Sequence, residues 1–90
     1  MHRNALWGAQ YSTSWTAGSS RGVPQAHAWL RSAYAKVHPH ADGQAYQNYI
    51  DPDLKNWRQA YYGANYARLA RIKKRYDPAN LFSFPQSITA

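Results

Sequence analysis

The sequence predicts an α+β fold of about two strands and three helices. Two segments alternate large and small side chains with period two, which is typical of strands. Three others repeat apolar residues every three or four positions, which is typical of helices. At 90 residues the chain is one small domain or part of a larger one. Two isolated strands bury little apolar surface, so we expect their edges to meet another chain or to remain exposed, and the protein to self-associate.

The first strand is predicted over residues 3–16, where aromatic and small polar side chains alternate. One face carries aromatic residues such as Trp7 and Trp15, which we interpret mainly as packing. Gln10 and Ser12 lie on the opposite face and could contact a polar substrate if that face meets a cleft. They are therefore candidates for lining a substrate pocket.

The first helix is predicted to begin at Pro24, because proline fits the first helical turn. It ends before Pro39, since the residue preceding a proline avoids helical angles. Apolar residues from 26 to 37 form one stripe, which we expect to lie against the aromatic strand. His38 and His40 follow, but two histidines without a further ligand cluster predict no metal site.

A short second strand is predicted over residues 44–50, between the polar loop that precedes it and the Asp-Pro-Asp turn that follows. Its alternation places Tyr46 and Asn48 on one side. Gln47 and Tyr49 are placed on the other side. The strand pattern therefore separates the two tyrosines.

Two further helices are predicted, and residues 80–90 after them are predicted to be extended. Asp53 is the expected N-cap of one helix and Gly63 its C-cap. Its apolar face consists of Leu54, Trp57, Ala60 and Tyr61. Asn65 is the expected N-cap of the other helix, which Asp77 and Pro78 end. Its apolar face consists of Tyr66, Leu69, Ile72 and Tyr76.

The formal net charge is +7, and seven of the eleven basic residues lie between Lys55 and Arg75, where no acid occurs. Aromatic residues are interleaved with them, so one hypothesis is a small basic module that stacks and binds nucleic acid. Against it, Trp57 and Tyr61 share a helix face with Leu54 and should be buried. The basic residues then form a solvated helix surface, and nucleic acid is not the favoured partner.

Cysteine is absent, which excludes a disulfide framework, a thiolate metal site and a catalytic thiol. Apolar runs are far shorter than the roughly 20 residues that span a bilayer. No charged and then apolar leader opens the chain. We therefore expect a soluble protein without a membrane partner, cytoplasmic if the source is bacterial.

Four motifs give the sequence its most specific signal. They are Tyr-x-Asn-Tyr at 46–49, Tyr-Gly-x-Asn-Tyr at 62–66, Tyr-Asp-Pro-x-Asn-x-Phe at 76–82 and Pro-Gln-Ser-Ile at 85–88. In order and spacing they resemble the C-terminal segment of the berberine bridge enzyme-like FAD-linked oxidases. The resemblance extends over nearly the whole chain, which corresponds to about the last fifth of a family member.

The resemblance implies a partial piece of a two-domain flavin oxidase fold that lacks the FAD-binding domain. Residues 1–43 resemble the last strand and helix of the substrate domain, and residues 44–90 the family's C-terminal segment. FAD would be supplied mainly by the missing domain, so this chain alone should neither hold FAD tightly nor be active. An FAD-binding polypeptide in trans, or a homo-oligomer, is the implied partner. A folded remnant without activity is the remaining alternative.

The resemblance also implies roles for three residues of the Tyr-x-Asn-Tyr motif. Tyr49 corresponds to the tyrosine that lies over the flavin and takes the substrate hydroxyl proton as hydride moves to the flavin. A phenol is a poor base at neutral pH unless positive charge or hydrogen bonds stabilise the phenolate. Asn48 corresponds to an asparagine near the flavin ring. Tyr46 is interpreted mainly as a core aromatic and joins Gln10 and Ser12 as a candidate substrate-lining residue.

Overall fold

The computed structural model describes residues 2–89, and within that range it contains two α-helices, short 3₁₀- and π-helical turns, and no strand. The predicted α+β class with two strands is therefore wrong. The chain divides into two compact units, residues 4–43 and residues 1–3 with 44–90. Met1 and Ala90, the outer ends of the two predicted domains, lie outside the described residues.

The 4–43 unit is built around helix α1, Val23–Val37, which confirms the first predicted helix. Gly22 precedes it with φ 80°, a left-handed conformation that suits glycine. A 3₁₀ turn, His38–His40, follows directly. The His38 ring stacks on Tyr34 with centroids 4.7 Å apart, which gives this histidine a packing role. Among the described residues, no group of three or more His, Cys, Asp or Glu side chains could hold a metal ion.

Residues 4–16 do not form the predicted first strand, although their side chains alternate. Leu6 is 94% exposed and Trp7 73% exposed. Trp15 does contact α1, with its ring centroid 5.8 Å from that of His27. A strand requires backbone hydrogen bonds to a neighbour, and the second predicted strand is a turn. Alternation alone therefore does not produce a sheet here.

The other unit has a small apolar core, which the spacing of its residues predicts correctly. The core consists of Leu54, Trp57, Ala60 and Tyr61. The α-helix predicted to carry it from the Asp53 N-cap is not formed, and the backbone N–H of Asp53 instead donates to Asp51 Oδ1 at 2.9 Å. This aspartate turn competes with helix formation. The chain then forms a π-helical turn, Arg58–Tyr62, and a 3₁₀ turn, Gly63–Asn65.

Helix α2, Tyr66–Tyr76, confirms the third predicted helix, and Asn65 occupies its N-cap position without a side-chain capping bond. Its predicted inward face is only partly correct. Tyr66 packs against the core, whereas Ile72 is 42% and Tyr76 74% exposed. The core thus reaches only the beginning of α2. No described helix is both long and apolar enough to span a bilayer.

After α2 the chain is reversed by a group of contacts that we call the Asp77 clasp. The Asp77 carboxylate pairs with Lys73 and accepts backbone N–H bonds from Leu81, at 2.7 Å, and Phe82, at 3.1 Å. Lys73 also donates to the carbonyl of Phe82. The hydrogen bond from Lys73 lowers the pKa of Asp77, and the two N–H bonds add to this, although partial burial opposes it.

Acid should loosen the Asp77 clasp. Because the folded pKa of Asp77 lies below its ordinary value of 3.8, ionised Asp77 favours the folded state. That contribution is present above the ordinary value and is lost as the pH falls through the folded pKa. In an NMR pH titration, the Leu81 and Phe82 amide signals should shift together below about pH 4.

Asp77→Asn should abolish this joint acid shift, because it removes the titrating carboxylate. Asp53→Asn serves as the matched control, since it removes a carboxylate that takes no part in the clasp. An unchanged titration of the Leu81 and Phe82 amides in Asp77→Asn would contradict the assignment.

Candidate functional site

The Tyr-x-Asn-Tyr motif forms a turn, not the predicted second strand. The Tyr49 N–H donates to the Tyr46 carbonyl at 3.0 Å and closes the turn. Tyr46 and Tyr49, predicted on opposite strand faces, instead lie together with ring centroids 5.6 Å apart and planes tilted by 44°. Asn48 Nδ2 donates to the Tyr46 hydroxyl at 2.9 Å. The structure thus brings the three motif residues into one group.

The side chains of this group are open to a ligand. Tyr46 is 54% exposed and Tyr49 66% exposed, and Asn48 is exposed as well. The interpretation of Tyr46 as a core residue is therefore wrong. Its hydroxyl instead holds the Asn48 amide, which leaves the Asn48 carbonyl oxygen and the Tyr49 hydroxyl available at the surface.

Both ends of the turn are fastened to the core of the unit. The Ala45 N–H donates to the Ala60 carbonyl at 3.0 Å. The Asp51 N–H donates to the Tyr61 hydroxyl at 2.9 Å, and the Asp51 carbonyl accepts from Gln86 Nε2 at 2.7 Å. These bonds satisfy backbone groups that a strand would otherwise have paired. They attach the exposed turn to the buried core of the unit.

Beside the core lies a cluster of three tyrosines, Tyr61, Tyr62 and Tyr66, whose contacts with one another the sequence pattern does not reveal. Burial raises the pKa of Tyr62, and its neighbours Tyr61 and Tyr66 add to the rise. For Tyr66, burial also acts to raise the pKa, but hydrogen bonds from Thr89 and Arg58 outweigh it and the net pKa is lowered. The Arg58 guanidinium lies 4.5 Å above the Trp57 ring, so this basic residue is engaged in packing.

The remaining candidates, Gln10 and Ser12, belong to the 4–43 unit, where both are exposed. An open depression in that unit is lined by Ser14, Trp15 and Arg21, together with the start of α1, and not by Gln10 or Ser12. Arg21 was not selected from the sequence, because a single arginine in a glycine- and serine-rich loop carries no distinctive signal.

The turn at 46–49 suits the ring system of a flavin better than its phosphates. An exposed aromatic ring provides a stacking face, and the Asn48 carbonyl oxygen can accept a hydrogen bond from a polar ring edge. Pyrophosphate is usually held by backbone N–H groups at a helix N-terminus. The turn does not begin a helix and lacks this arrangement of N–H groups. Its residues therefore suit the ring system of FAD and not the pyrophosphate.

Curated relatives align with almost the whole chain. An uncharacterized FAD-linked oxidoreductase of Bacillus subtilis, YgaK, is 36% identical over 97% of this chain. Berberine bridge enzyme-like 25 of Arabidopsis thaliana is 34% identical, and a carbohydrate oxidase of Microdochium nivale 32% identical, each over 97% of the chain. The chain spans only 19%, 19% and 18% of these relatives, respectively. No solved structure matches the chain.

The family model described as berberine and berberine like matches residues 45–89. The match contains the motif turn, the core and the Asp77 clasp. The relatives are FAD-linked oxidoreductases, and FAD is the cofactor of the family. The resemblance predicted from the four motifs is thus confirmed, and the chain belongs to the berberine and berberine-like family of FAD-linked oxidoreductases.

Proposed function

We propose that this chain is the C-terminal part of an FAD-linked oxidoreductase, in which the 46–49 turn forms the protein wall beside the flavin. The observation that carries the proposal is the exposed group of Tyr46, Asn48 and Tyr49, which is attached to the buried core. Exposing two aromatic rings to water is unfavourable. A flat aromatic ligand would cover them.

In the proposed reaction, a substrate carbon that bears a hydroxyl group is oxidised. FAD, when bound, supplies the hydride acceptor. Tyr49, in its phenolate form, takes the proton of the substrate hydroxyl and becomes the neutral phenol, and Asn48, held by Tyr46, orients a polar group at the same surface. The complete site requires the protein segments that hold the rest of FAD. These are supplied either by a partner polypeptide or by additional residues of the same polypeptide.

A basic nucleic-acid-binding module is the weaker candidate. Trp57 and Tyr61, two of the aromatics that would have to stack on bases, are buried at 7% and 3% exposure. Arg58 covers the Trp57 ring. These contacts favour a core over a stacking surface. The exposed pair of the motif turn, Tyr46 and Tyr49, lies outside the basic stretch from Lys55 to Arg75.

A hybrid oxidase tests the proposal. In the Microdochium nivale carbohydrate oxidase, the segment that aligns with this chain is replaced by the chain's own residues. Carbohydrate should reduce the flavin of this hybrid oxidase under anaerobic conditions, as followed by flavin absorbance. The same oxidase without the segment should not be reduced. A hybrid that folds and binds FAD, yet is not reduced by carbohydrate, would argue against the proposal.

The chain by itself should bind FAD weakly and be colourless when purified. The turn offers contacts to the ring system only, and phosphate contacts contribute much of the binding of a dinucleotide. Equilibrium dialysis of the chain against FAD measures this directly. A yellow preparation with one equivalent of flavin would show that the chain holds a complete cofactor site.

A further inference from the structure

Gln86 is a buried glutamine whose two amide atoms are used unequally. Its side chain is only 6% exposed. Nε2 donates to the Asp51 carbonyl at 2.7 Å and lies 3.4 Å from the Leu54 carbonyl. Its Oε1 atom is buried and has no hydrogen-bond partner among residues 2–89. A buried acceptor without a partner is costly.

The unpaired Oε1 indicates that Gln86 is not the residue that fold stability alone would favour. A methionine has nearly the same length and would fill the site without leaving a buried polar oxygen unpaired. What methionine lacks is the Nε2 donor. The contribution specific to glutamine is therefore the pair of Nε2 bonds, the shorter to the Asp51 carbonyl at 2.7 Å and the longer to the Leu54 carbonyl at 3.4 Å.

Asp51 is the end of the motif turn that the core holds most firmly. Its N–H donates to the hydroxyl of the buried Tyr61. Its carbonyl accepts from buried Gln86 at 2.7 Å and from the Leu54 N–H at 3.1 Å, so Gln86 supplies the shorter of two bonds to this carbonyl. Only Ile50 separates it from Tyr49. Restricting Asp51 therefore restricts the directions in which the Tyr49 ring can point.

On the basis of the proposed function, we infer that Gln86 is a positioning residue for Tyr49. It acts through Asp51, together with the Tyr61 hydroxyl, and touches neither substrate nor flavin. A displacement of about 1 Å at a reacting group can cost about 100-fold in rate. Loss of the Gln86 donor should therefore impair chemistry while substrate binding is kept.

The anchoring can be measured on the chain itself. In Gln86→Met, NMR order parameters of the Tyr49 and Asp51 amides should fall from about 0.85 to below about 0.6. Ser87→Ala, at the neighbouring buried position, where the backbone N–H donates to the Phe84 carbonyl, should leave them unchanged. Order parameters in Gln86→Met equal to those of the parent would overturn the inference.

The Tyr61 hydroxyl provides an independent variant. Tyr61→Phe keeps the ring in the core and removes only the acceptor of the Asp51 N–H. It should loosen the same two amides, whereas Tyr62→Phe, next to it, should not. If Tyr61→Phe and Gln86→Met both leave the order parameter of the Tyr49 amide unchanged, the bonds at Asp51 do not restrict the motion of the turn.

The hybrid oxidase separates a positioning role from a merely structural one. Gln86→Met should slow flavin reduction at saturating substrate by about 10- to 100-fold, with KM changed by less than about twofold. In the Tyr49→Phe background the same substitution should add little, because it acts through Tyr49. Full additivity of the two substitutions would overturn the inference.

The two proposals fail in different ways. If Tyr49→Phe alone leaves the reduction rate unchanged, the proposed role of Tyr49 as the base is wrong. The inferred effect of Gln86 on the reaction rate is then wrong as well. If Tyr49→Phe is slow but Gln86→Met is as fast as the parent, only the positioning inference fails.

Discussion

In the hybrid oxidase, Tyr49→Phe should slow reduction of the flavin by substrate about 10²- to 10⁴-fold. The substitution removes the hydroxyl and keeps the ring, so it separates proton transfer from stacking. General-base catalysis is typically worth a factor of this size. Rapid mixing of the oxidised enzyme with substrate under anaerobic conditions measures the rate directly.

Tyr76→Phe is a matched control, because Tyr76 is 74% exposed and Tyr49 66% exposed. It should change the rate by less than about twofold. Tyr46→Phe should slow flavin reduction more than Tyr76→Phe but much less than Tyr49→Phe, since it removes the acceptor of the Asn48 amide and not the base. Equal reduction rates in Tyr49→Phe and the parent would exclude Tyr49 as the base.

Trp57→Ala should unfold the unit that carries the motif turn. Trp57 is the largest of the four buried apolar residues of this unit's core, and it also supports Arg58, whose guanidinium lies over its ring. Truncation of a buried aromatic residue to alanine costs about 3–5 kcal/mol. A unit with so small a core has little stability in reserve. Amide spectra of residues 44–89 should lose their dispersion.

Trp29→Ala provides the comparison, because Trp29 lies on α1 in the 4–43 unit and is 54% exposed. It should change the free energy of unfolding by less than about 0.5 kcal/mol. Urea titration followed by NMR reports each unit separately. A Trp57→Ala chain with the parent's urea midpoint for the 44–89 amides would show that the core lies elsewhere.

Apolar spacing was the most reliable guide to this molecule. Residues at three- and four-residue intervals after Asp53 predicted the four-member core correctly, even though most of that stretch is not a regular α-helix. Burial depends on which side chains share a face, and turns of slightly different pitch keep that face. Helix α1 and helix α2 were also predicted, because proline boundaries mark their ends.

Period-two spacing was a poor guide. Residues 3–16 and 44–50 both alternate, yet neither is a strand, because a strand also needs a partner for its backbone groups. At Asp51 that need is met by the side chains of Tyr61 and Gln86, which lie 10 and 35 positions further along the chain. Sequence spacing cannot reveal such a distant side-chain partner. The motif residues were identified, but their grouping into a turn was not.

The way the motif turn is attached also bears on how readily the family can diversify. Its anchors at Ala45 and Asp51 are backbone groups, and backbone groups bond in the same way whatever side chain they carry. Ile50, which is exposed, can therefore be randomised without loss of these backbone bonds, whereas the Gln47 side chain bonds to His2 Nε2 at 3.3 Å and should be kept. A small library at Ile50 would be an economical route to new substrate preferences, with Tyr49 left untouched.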